Sequence, residues 1–497
     1  NGEHALVIPS RARKDDVVIF IGATLTATLV AIFVLQRADG SADEWAYTWQ
    51  AASFAKLHVY GTPPPCDAAF QNFYVFSHVG RWFGQYTPGW PLFMMPFTAL
   101  GVPWIAGPFS HGLFAVGVAR VARSAVRLDG RGTEARVVSA GRIAAICATL
   151  ATTTLLVGAS RYSHVFAAAL FAWALESILV LRERDLTHEN QIRWGVVFGS
   201  AVALMGATRP ADGATLATGL LVLSFFNLVT RRLPWRAVAA TFGALVLWGG
   251  LVLLILHAQL GEWFTTGYSL NKIIHPWNVV KYAWPRPGEW KFALPLATGS
   301  YAWFPLSFAV GLAGLATLRR SARGVTVALV VSAVVFDTYY QYLDLGRPYD
   351  WGYGPRYETP LTVVMAIGTG VALAPLAERW RRAQGPLAIA ALAIAVTLVR
   401  LWPLLYPGVY AHVHQHDSLN RRAREMGIHN AVVIAQPGAT GFDALDLTEN
   451  LPMDLYPNQD VLIAIERKPQ DAQCVRKNYA ERKIYRATGN PVVITPY

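Results

Sequence analysis

Long runs of apolar residues dominate this sequence and restrict it to folds that cross a membrane. Apolar side chains make up 54% of the 497 residues, and only 15% of the residues are charged. The apolar residues gather in runs of about 18–22, the length at which a helix spans the hydrocarbon core of a bilayer. We predict eleven spans, at 17–35, 103–121, 141–158, 163–182, 193–208, 211–229, 236–257, 301–318, 324–342, 358–376 and 386–406.

The arginine residues predict how these spans are oriented. If the N-terminus is cytoplasmic, every inner loop is rich in arginine, as the positive-inside rule requires. The inner clusters are Arg11/Arg13/Lys14, Arg120/Arg123/Arg127/Arg131/Arg136/Arg142, Arg182/Arg184/Arg193, Arg231/Arg232/Arg236, Arg319/Arg320/Arg323 and Arg379/Arg381/Arg382. The net charge of +12 is therefore mostly an orientation signal. Because the arginines are scattered over short loops, a nucleic-acid partner is not expected.

Three outer segments are too long to be simple connections: 36–89, 258–300 and the chain from about 407. In the first, Trp45 to Lys56 has an amphipathic helical pattern. Trp90 to Leu100 is apolar but too short to cross, so we predict a re-entrant or interfacial helix. The aromatic residues of 258–300 predict a loop that lies on the membrane surface.

The composition changes to that of a soluble domain beyond Pro407. We predict a transmembrane domain over 1–406 and a small α/β domain over 407–497 on the outer face. Its predicted strands are Ala431–Ala435, Val461–Ile465, Lys483–Arg486 and Val492–Thr495. Cys66 and Cys474 both fall on the outer side, and the sequence leaves open whether they pair. The cluster of His412, His414, His416 and Asp417 has metal-ligand character, but a solvated stretch beside the membrane is the favoured interpretation.

Polar residues converge on the outer end of the predicted spans. Charges that border hydrocarbon need a reason, and an anionic headgroup is an economical one. Arginine binds phosphate bidentately, and a carboxylate opposite it could deprotonate an acceptor hydroxyl. The residues are Asp43, Glu44, Arg161, Tyr162, His164, Arg209, Asp212, Asp344, Arg347, Asp350, Arg356, Tyr357 and Glu358. We predict a phosphate-binding catalytic site there.

Several of these residues also have a simpler interpretation. Arg161 and Arg209 could extend to the headgroups from the ends of their spans. Asp43 and Glu44 could be the ordinary solvated start of a loop, or Asp43 could cap a helix that begins at Glu44. Arg356 could form a structural ion pair with Asp350 or Glu358.

Three stretches resemble the GT-C superfamily of integral-membrane glycosyltransferases, in the branch related to protein O-mannosyltransferases and lipid A aminoarabinose transferases. Residues 42–47 (ADEWAY) are similar to the acidic motif that opens the first outer loop of the family. Residues 80–92 are similar to its G-x-x-x-x-x-Y-x-P-G-x-P-L pattern, and residues 354–360 to its G-P-R-Y-x-x-P motif. Residues 161–164 are a weaker match.

The resemblance implies a sugar donor linked to a polyprenyl phosphate and, usually, inversion at the anomeric carbon. It implies that Asp43 is the general base or orients the acceptor, with Glu44 as a supporting carboxylate. Arg209 and Arg356, and with them Arg161, would hold the donor phosphate, and Tyr86, His164 and Tyr357 would line the pocket. Some relatives use a divalent metal, so Mg²⁺ or Mn²⁺ on Asp43 and Glu44 stays open.

We therefore expect a glycosyltransferase, with hexose or pentose as the sugar, at the outer face of a bacterial inner membrane. Its partners would be the lipid-linked donor and membrane lipids; the acceptor could be a lipid, a polysaccharide or a protein. Two other functions stay open: a flippase of lipid-linked sugar and a non-catalytic subunit of a membrane complex. The nearly uncharged span interiors argue against the flippase.

Overall fold

The computed structural model describes residues 10–130, 133–182, 186–230, 233–274, 308–319, 322–342, 353, 356–379, isolated positions between 388 and 399, 408–436, 438 and 448–497. The predicted span 386–406, the loop residues 275–300, and Asp344, Arg347 and Asp350 lie wholly or almost wholly outside these residues. The described helices are α1 Ser10–Phe33, α2 Ala42–Ala55, α3 Asp67–Phe70, α4 Gly89–Ala99, α5 Ala106–Asp129, α6 Glu134–Leu150, α7 Thr152–Ala159, α8 His164–Val180, α9 His188–Thr208, α10 Pro210–Val229, α11 Trp235–Leu260, α12 Gly267–Ile274, α13 Phe308–Ala316, α14 Arg323–Tyr342, α15 Leu361–Arg379, α16 Tyr410–His416, α17 Ser418–Glu425 and α18 Pro469–Asn478.

Several of these helices have the length and composition of membrane spans. Within the described ranges, six are long and apolar enough to cross, or seven if a bent pair counts as one span. The bent pair corrects the prediction of one straight span at 141–158: α6 and α7 meet at 67°. The backbone of Ala151 between them is extended, with φ −60° and ψ 115°, which interrupts the helix. The chain is a multi-pass helical membrane protein.

The spans leave an apolar surface that suits lipid. In α11, Phe242 is 69% and Leu247 70% exposed. Such large apolar side chains are rarely exposed together on a soluble protein. A surface of this kind, left uncovered by the other described residues, suits contact with hydrocarbon.

Ion pairs tie the helices together at one end of the bundle, where α1 begins. Arg142 of α6 pairs with Asp15 at 2.8 Å. Arg120 of α5 lies 3.6 Å from both Asp16 of α1 and Glu176 of α8. These charges lie at the end predicted to be cytoplasmic, whereas the candidate site follows the other end of α1.

The first outer segment is folded into regular elements. The amphipathic helix predicted over 45–56 is α2, and the short apolar helix predicted near 90–100 is α4, which contains Pro96. Between them lies a hairpin that the sequence analysis missed, β1 Val75–His78 and β2 Arg81–Gly84. Val79 and Gly80 both have positive φ, as a two-residue hairpin turn requires.

The C-terminal segment contains a four-stranded sheet, and its strands confirm the sequence analysis closely. They are β3 Ala431–Ala435, β4 Val461–Ile465, β5 Lys483–Thr488 and β6 Val493–Pro496, in the order β4-β3-β5-β6. β3 pairs in parallel with β4 and β5, whereas β6 is antiparallel to β5.

This sheet shares a hydrophobic core with the first outer segment. Val432, Ile434 and Leu462 of the sheet belong to the same buried cluster as Trp49 and Phe76. A disulfide between Cys66 and Cys474 joins the two segments covalently. The C-terminal sheet is therefore packed against the outer segment that carries the acidic pair.

Candidate active site

The two acidic residues of the motif lie in the first turn of α2 and have different environments. Ser41 is the N-cap of this helix, and its hydroxyl accepts a hydrogen bond from the backbone N–H of Glu44 at 3.4 Å. Asp43 therefore lies inside the helix and does not cap it. The side chain of Asp43 is 23% exposed, whereas Glu44 is 1% exposed.

Glu44 holds two chain segments together. Its Oε2 accepts from the backbone N–H of Gly40 at 2.9 Å, and its Oε1 accepts from the backbone N–H of Arg161 at 2.8 Å. Burial, reinforced by the nearby charge of Asp39, raises the pKa of Glu44 to about 7. Both carboxylate oxygens of Glu44 therefore serve the loop structure.

Arg161, predicted to bind phosphate, is occupied by a buried network. Its Nη1 donates to Asp39 and, at 3.2 Å, to Thr48, and its Nη2 donates to the carbonyl of Arg37 at 2.7 Å. The side chains of Arg161 and Asp39 are only 9% and 5% exposed. Its Nε has no hydrogen-bond partner among the described residues, but the contacts of Nη1 and Nη2 fix the guanidinium against buried groups of the protein. Arg161 therefore ties the loops together in this structure, and its phosphate role stays a prediction.

Asp43 contacts two residues of the other motifs. Tyr86 donates its hydroxyl hydrogen to Oδ1 of Asp43. Arg356 places its Nη2 3.8 Å from Oδ2. The three motifs, far apart in sequence, therefore meet at one carboxylate, and Arg356 is paired with Asp43 in addition to any contact with Glu358.

Aromatic rings surround Arg356. Its guanidinium carbon lies 4.3 Å from the ring centre of Tyr162 and 5.1 Å from that of Tyr357. Cation–π contacts of this kind hold a guanidinium in place without neutralising its charge. Arg356 belongs to a short 3₁₀ turn, Arg356–Glu358, directly before α15.

Arg209 reaches the same aromatic residues from the junction of α9 and α10. Its guanidinium carbon lies 5.5 Å from the ring centre of Tyr357. Its Nε donates to Asp212 at 2.7 Å, and its Nη2 donates to the hydroxyl of Tyr340 at 3.0 Å. Arg209 has extended backbone because Pro210 follows it, and Pro210 begins α10.

His164 completes this group. The residue is 2% exposed and begins α8. Its ring centre lies 5.5 Å from that of Tyr162 and 5.2 Å from that of Tyr357. Within the described part of the chain, neither ring nitrogen has a hydrogen-bond partner. A buried polar group in this state costs about 1–3 kcal/mol, which a ligand would offset.

Some residues of the site were not singled out from the sequence. Asp39 follows the end of span 1 and Tyr340 lies near the end of span 9; their positions at span ends were the available signal. Tyr268, whose ring centre is 5.6 Å from that of Tyr86, comes from the long aromatic loop. Tyr47 donates to or accepts from Ser163 at 3.1 Å, one turn along α2 from Asp43.

A divalent metal on Asp43 and Glu44 does not fit the donors found there. Oδ1 of Asp43 accepts from Tyr86, and Arg356 places a positive charge near Oδ2. Both oxygens of Glu44 accept backbone hydrogen bonds. Among the described residues, no three His, Cys, Asp or Glu residues are grouped so as to hold a metal. The same is true of His412, His414, His416 and Asp417, which do not form such a group. His416 is buried, at 3% exposure, and is not solvated as predicted.

Comparison with known proteins gives matches at the level of structure only. No known family profile and no curated protein sequence matches the chain. ArnT from Cupriavidus metallidurans bound to undecaprenyl phosphate aligns with a TM-score of 0.55 at 13% identity, over 95% of this chain and 93% of that one. The archaeal oligosaccharyltransferase AglB from Archaeoglobus fulgidus, in complex with an inhibitory peptide and a dolichol-phosphate, aligns with a TM-score of 0.51 at 13% identity, over 96% of this chain and 69% of that one.

Proposed function

We propose, for a chain that has the fold of the GT-C membrane glycosyltransferases, that it transfers a sugar from a polyprenyl-phosphate carrier to an acceptor hydroxyl. The observation that carries the proposal is the contact of one accessible carboxylate, Asp43, with Arg356 and Tyr86. The two structural neighbours are bound to undecaprenyl phosphate and dolichol-phosphate, which supports a carrier of this class.

In the proposed reaction, the oxygen of the acceptor hydroxyl attacks the anomeric carbon of the donor sugar. A new C–O bond forms as the bond from the anomeric carbon to the phosphate oxygen breaks, with inversion at that carbon. Asp43 accepts the proton of the acceptor hydroxyl, and the polyprenyl phosphate leaves with the bonding electron pair. General-base catalysis of this kind contributes about 10²–10⁴-fold to a rate.

The positive groups stabilise the charge that develops on the leaving phosphate. The guanidinium carbons of Arg356 and Arg209 lie 5.1 Å and 5.5 Å from the ring centre of Tyr357, and in this proposal both groups bind the donor phosphate. His164 would supply an N–H to the same anion, which gives its buried ring a partner that the described residues do not provide. Tyr86 orients Asp43. Arg161 and Glu44 keep structural roles in this proposal.

We also propose that the site faces the outer side of the membrane and that eleven spans are present. The arginine-rich loops support the orientation. The disulfide between Cys66 and Cys474 supports it independently, because disulfides persist in oxidising compartments outside the cytoplasm. The proposal implies that the protein lies in a bacterial inner membrane. The transferred sugar would be a hexose or a pentose.

The test is transfer by the purified chain in liposomes with a panel of undecaprenyl-phosphate hexoses and pentoses. We expect Asp43→Asn to lower the transfer rate by at least about 100-fold while donor binding persists, because only the proton acceptor is lost. Glu425→Gln, an exposed change on α17, is the control and should transfer like wild type. Full transfer by Asp43→Asn would remove Asp43 as the base, and lipid translocation without transfer would favour a flippase.

A further inference from the structure

The short helix α12, which follows α11 in the second outer segment, is docked on the chain that leads into Tyr86. A Cβ atom on Gly267, the first residue of α12, would lie 2.5 Å from the Cα atom and the carbonyl oxygen of Gln85. Because glycine has no Cβ, the two backbones can approach this closely. One turn further along, Nδ2 of Asn271 donates to the carbonyl of Phe73 at 2.7 Å. These two contacts fix α12 against the first outer segment.

The docked helix places Tyr268 beside the candidate site. The ring centre of Tyr268 lies 5.6 Å from that of Tyr86, and the ring planes meet at 79°. This is the edge-to-face arrangement that aromatic pairs prefer. Tyr86 in turn donates its hydroxyl hydrogen to Asp43. The side chain of Tyr268 therefore has a defined position next to the proposed base.

Charged groups of the site act on the hydroxyl of Tyr268. Burial of this hydroxyl, together with the neighbouring Tyr47, raises the pKa of Tyr268 well above its usual value of 10.0. The positive charge of Arg209 opposes this shift, and the negative charge of Asp43 adds to it. Since such effects weaken with distance, the phenol oxygen lies near both Asp43 and Arg209.

Tyr268 differs from other tyrosines of the site in exposure and in hydrogen bonding. The hydroxyls of four others are hydrogen-bonded to side chains of the protein: Tyr47 to Ser163, Tyr86 to Asp43, Tyr162 to Ser41 and Tyr340 to Asp212. These four residues are at most 5% exposed, whereas Tyr268 is 37% exposed. In the part of the chain that the structure describes, the hydroxyl of Tyr268 has no hydrogen-bond partner.

These observations place Tyr268 in a recess that is open to a ligand. Protein surrounds its hydroxyl, as the raised pKa shows, yet the residue keeps an accessible surface. A phenol hydroxyl both donates and accepts a hydrogen bond. It therefore suits a ligand group that does the same, such as the hydroxyl of a sugar.

The proposed reaction determines which part of the substrates lies in this recess. Inversion requires the acceptor oxygen, the anomeric carbon and the leaving phosphate oxygen to lie roughly in line. With the acceptor at Asp43 and the phosphate at Arg209, the sugar ring occupies the space between these two residues. The hydroxyl of Tyr268 lies near both, so a hydroxyl group of that sugar ring is within its reach.

We infer that Tyr268 binds a hydroxyl group of the donor sugar and so contributes to the choice of sugar. The inference rests on the proposed transferase function and adds a specificity-determining residue to it. A site built to hydrogen-bond a substrate hydroxyl discriminates against an analogue that lacks it, because the polar group of the site is then left unpaired.

The experiment measures donor binding and sugar transfer separately with the full-length chain in nanodiscs. The ligands are undecaprenyl phosphate, its conjugates with mannose, glucose, galactose and xylose, and the single-deoxy analogues of these conjugates. Tyr268→Phe keeps the ring contact with Tyr86 and removes only the hydroxyl. Tyr60→Phe is the matched control, since Tyr60 is also 37% exposed but packs on Arg81, outside the candidate site.

We expect Tyr268→Phe to bind at least one sugar conjugate about three- to tenfold more weakly than wild type does, and undecaprenyl phosphate equally well. One deoxy analogue of that conjugate should bind equally to wild type and to Tyr268→Phe, because the hydrogen bond is absent from both complexes. Tyr60→Phe should bind every ligand like wild type.

Different results would contradict the sugar contact and the transferase function. A sugar-dependent binding loss in Tyr268→Phe, without transfer by wild type from any conjugate, would overturn the transferase function and leave Tyr268 as a sugar-binding residue. Unchanged binding of every conjugate by Tyr268→Phe would overturn the sugar contact. An equal loss for undecaprenyl phosphate would overturn it by placing the hydroxyl on the phosphate, and a raised acceptor KM with intact donor binding would do so by placing it on the acceptor.

Discussion

Asp43 and Glu44 are neighbours in the chain with different chemical environments. Both belong to the first turn of α2, yet successive helical residues point about 100° apart, so one reaches the pocket and the other the loops behind it. Asp43 keeps an accessible carboxylate, whereas Glu44 is buried between the N–H groups of Gly40 and Arg161. Helix geometry therefore determines which of the two carboxylates can act as the proposed base.

The buried carboxylate of Glu44 predicts a pH dependence of stability. Its pKa is raised to about 7 by burial, against 4.5 for an ordinary glutamate. Between these values the unfolded chain releases the proton while the folded chain retains it, so stability falls as pH rises from about 4.5 to about 7. Glu44→Gln does not titrate and should flatten this part of the curve of unfolding midpoint against pH, measured in detergent. The exposed change Glu425→Gln should leave the slope in place; an unchanged slope in Glu44→Gln would contradict the assignment.

The two arginines Arg161 and Arg356 predict opposite phenotypes for the same substitution. Arg161→Gln leaves Asp39 buried without its charge partner, and loss of one member of such a pair costs about 3–5 kcal/mol. Arg356→Gln leaves Asp43, which is partly exposed and retains Tyr86. We expect Arg161→Gln to lower the unfolding midpoint strongly, and Arg356→Gln to fold but raise the KM for the lipid-linked donor. Equal stability losses with no effect of Arg356→Gln on donor KM would show that Arg356 is structural as well.

The junction between α9 and α10 positions Arg209. The helices approach closely, since a Cβ atom on Gly213 would lie 2.5 Å from Cα of Gly206. A Cβ atom on Gly206 itself would meet nothing within 4 Å. The close approach therefore depends on one glycine of the two.

This asymmetry allows two alanine substitutions, Gly213→Ala and Gly206→Ala, to be compared as a matched pair. Gly213→Ala should push α10 away from α9, displace Arg209 and reduce donor binding, because a backbone contact of 2.5 Å cannot be relieved by a side-chain rotation. Gly206→Ala should bind donor like wild type and be slightly more stable, by up to about 1 kcal/mol, from its better helix propensity. Donor KM and unfolding midpoint check both. Wild-type donor binding by Gly213→Ala would contradict the role given to this junction.

The elements also show how far sequence patterns reach. The strands of the C-terminal sheet were predicted almost to the residue, because short apolar β-branched runs bounded by polar segments have few other solutions. The bend between α6 and α7 was missed because position 151 is an alanine, and a proline or glycine there would have indicated a break in the helix. Tertiary contacts accompany that bend: Thr154 of α7 hydrogen-bonds Thr362 of α15 at 2.8 Å.

The C-terminal sheet and the first outer segment form one packed unit in the folded chain. They share a buried cluster, and the disulfide closes a separation of 408 residues. His412 contacts the carbonyl of Gly40 at 2.7 Å, so the C-terminal segment also reaches the loop that Glu44 holds. The arrangement of the candidate site therefore depends on residues that are far from it in sequence.

Loss of the disulfide should destabilise this packed unit but leave it folded. Cys66→Ser and Cys474→Ser should each lower the unfolding midpoint, by the equivalent of about 2–4 kcal/mol, because the unfolded outer segments gain freedom. The double variant should match the single ones, since all three remove the same bond. Cys147→Ala, which replaces the buried free cysteine, is the control and should have the smaller effect. Additive losses in the double variant would mean that the two thiols act separately.

Apolar run length, arginine distribution and residue type act locally along the chain, and they were enough to predict the membrane-spanning character, the orientation and the strands of the C-terminal segment. The motifs that meet at Asp43 were predicted from their resemblance to those of a known family. The folded chain was needed to show that Arg161 and Glu44 contact buried partners, that Arg356 and Tyr86 both contact Asp43, and that Cys66 and Cys474 pair. Those outcomes depend on contacts between residues more than a hundred positions apart in most cases, and no local pattern specifies which side chain such a contact leaves accessible.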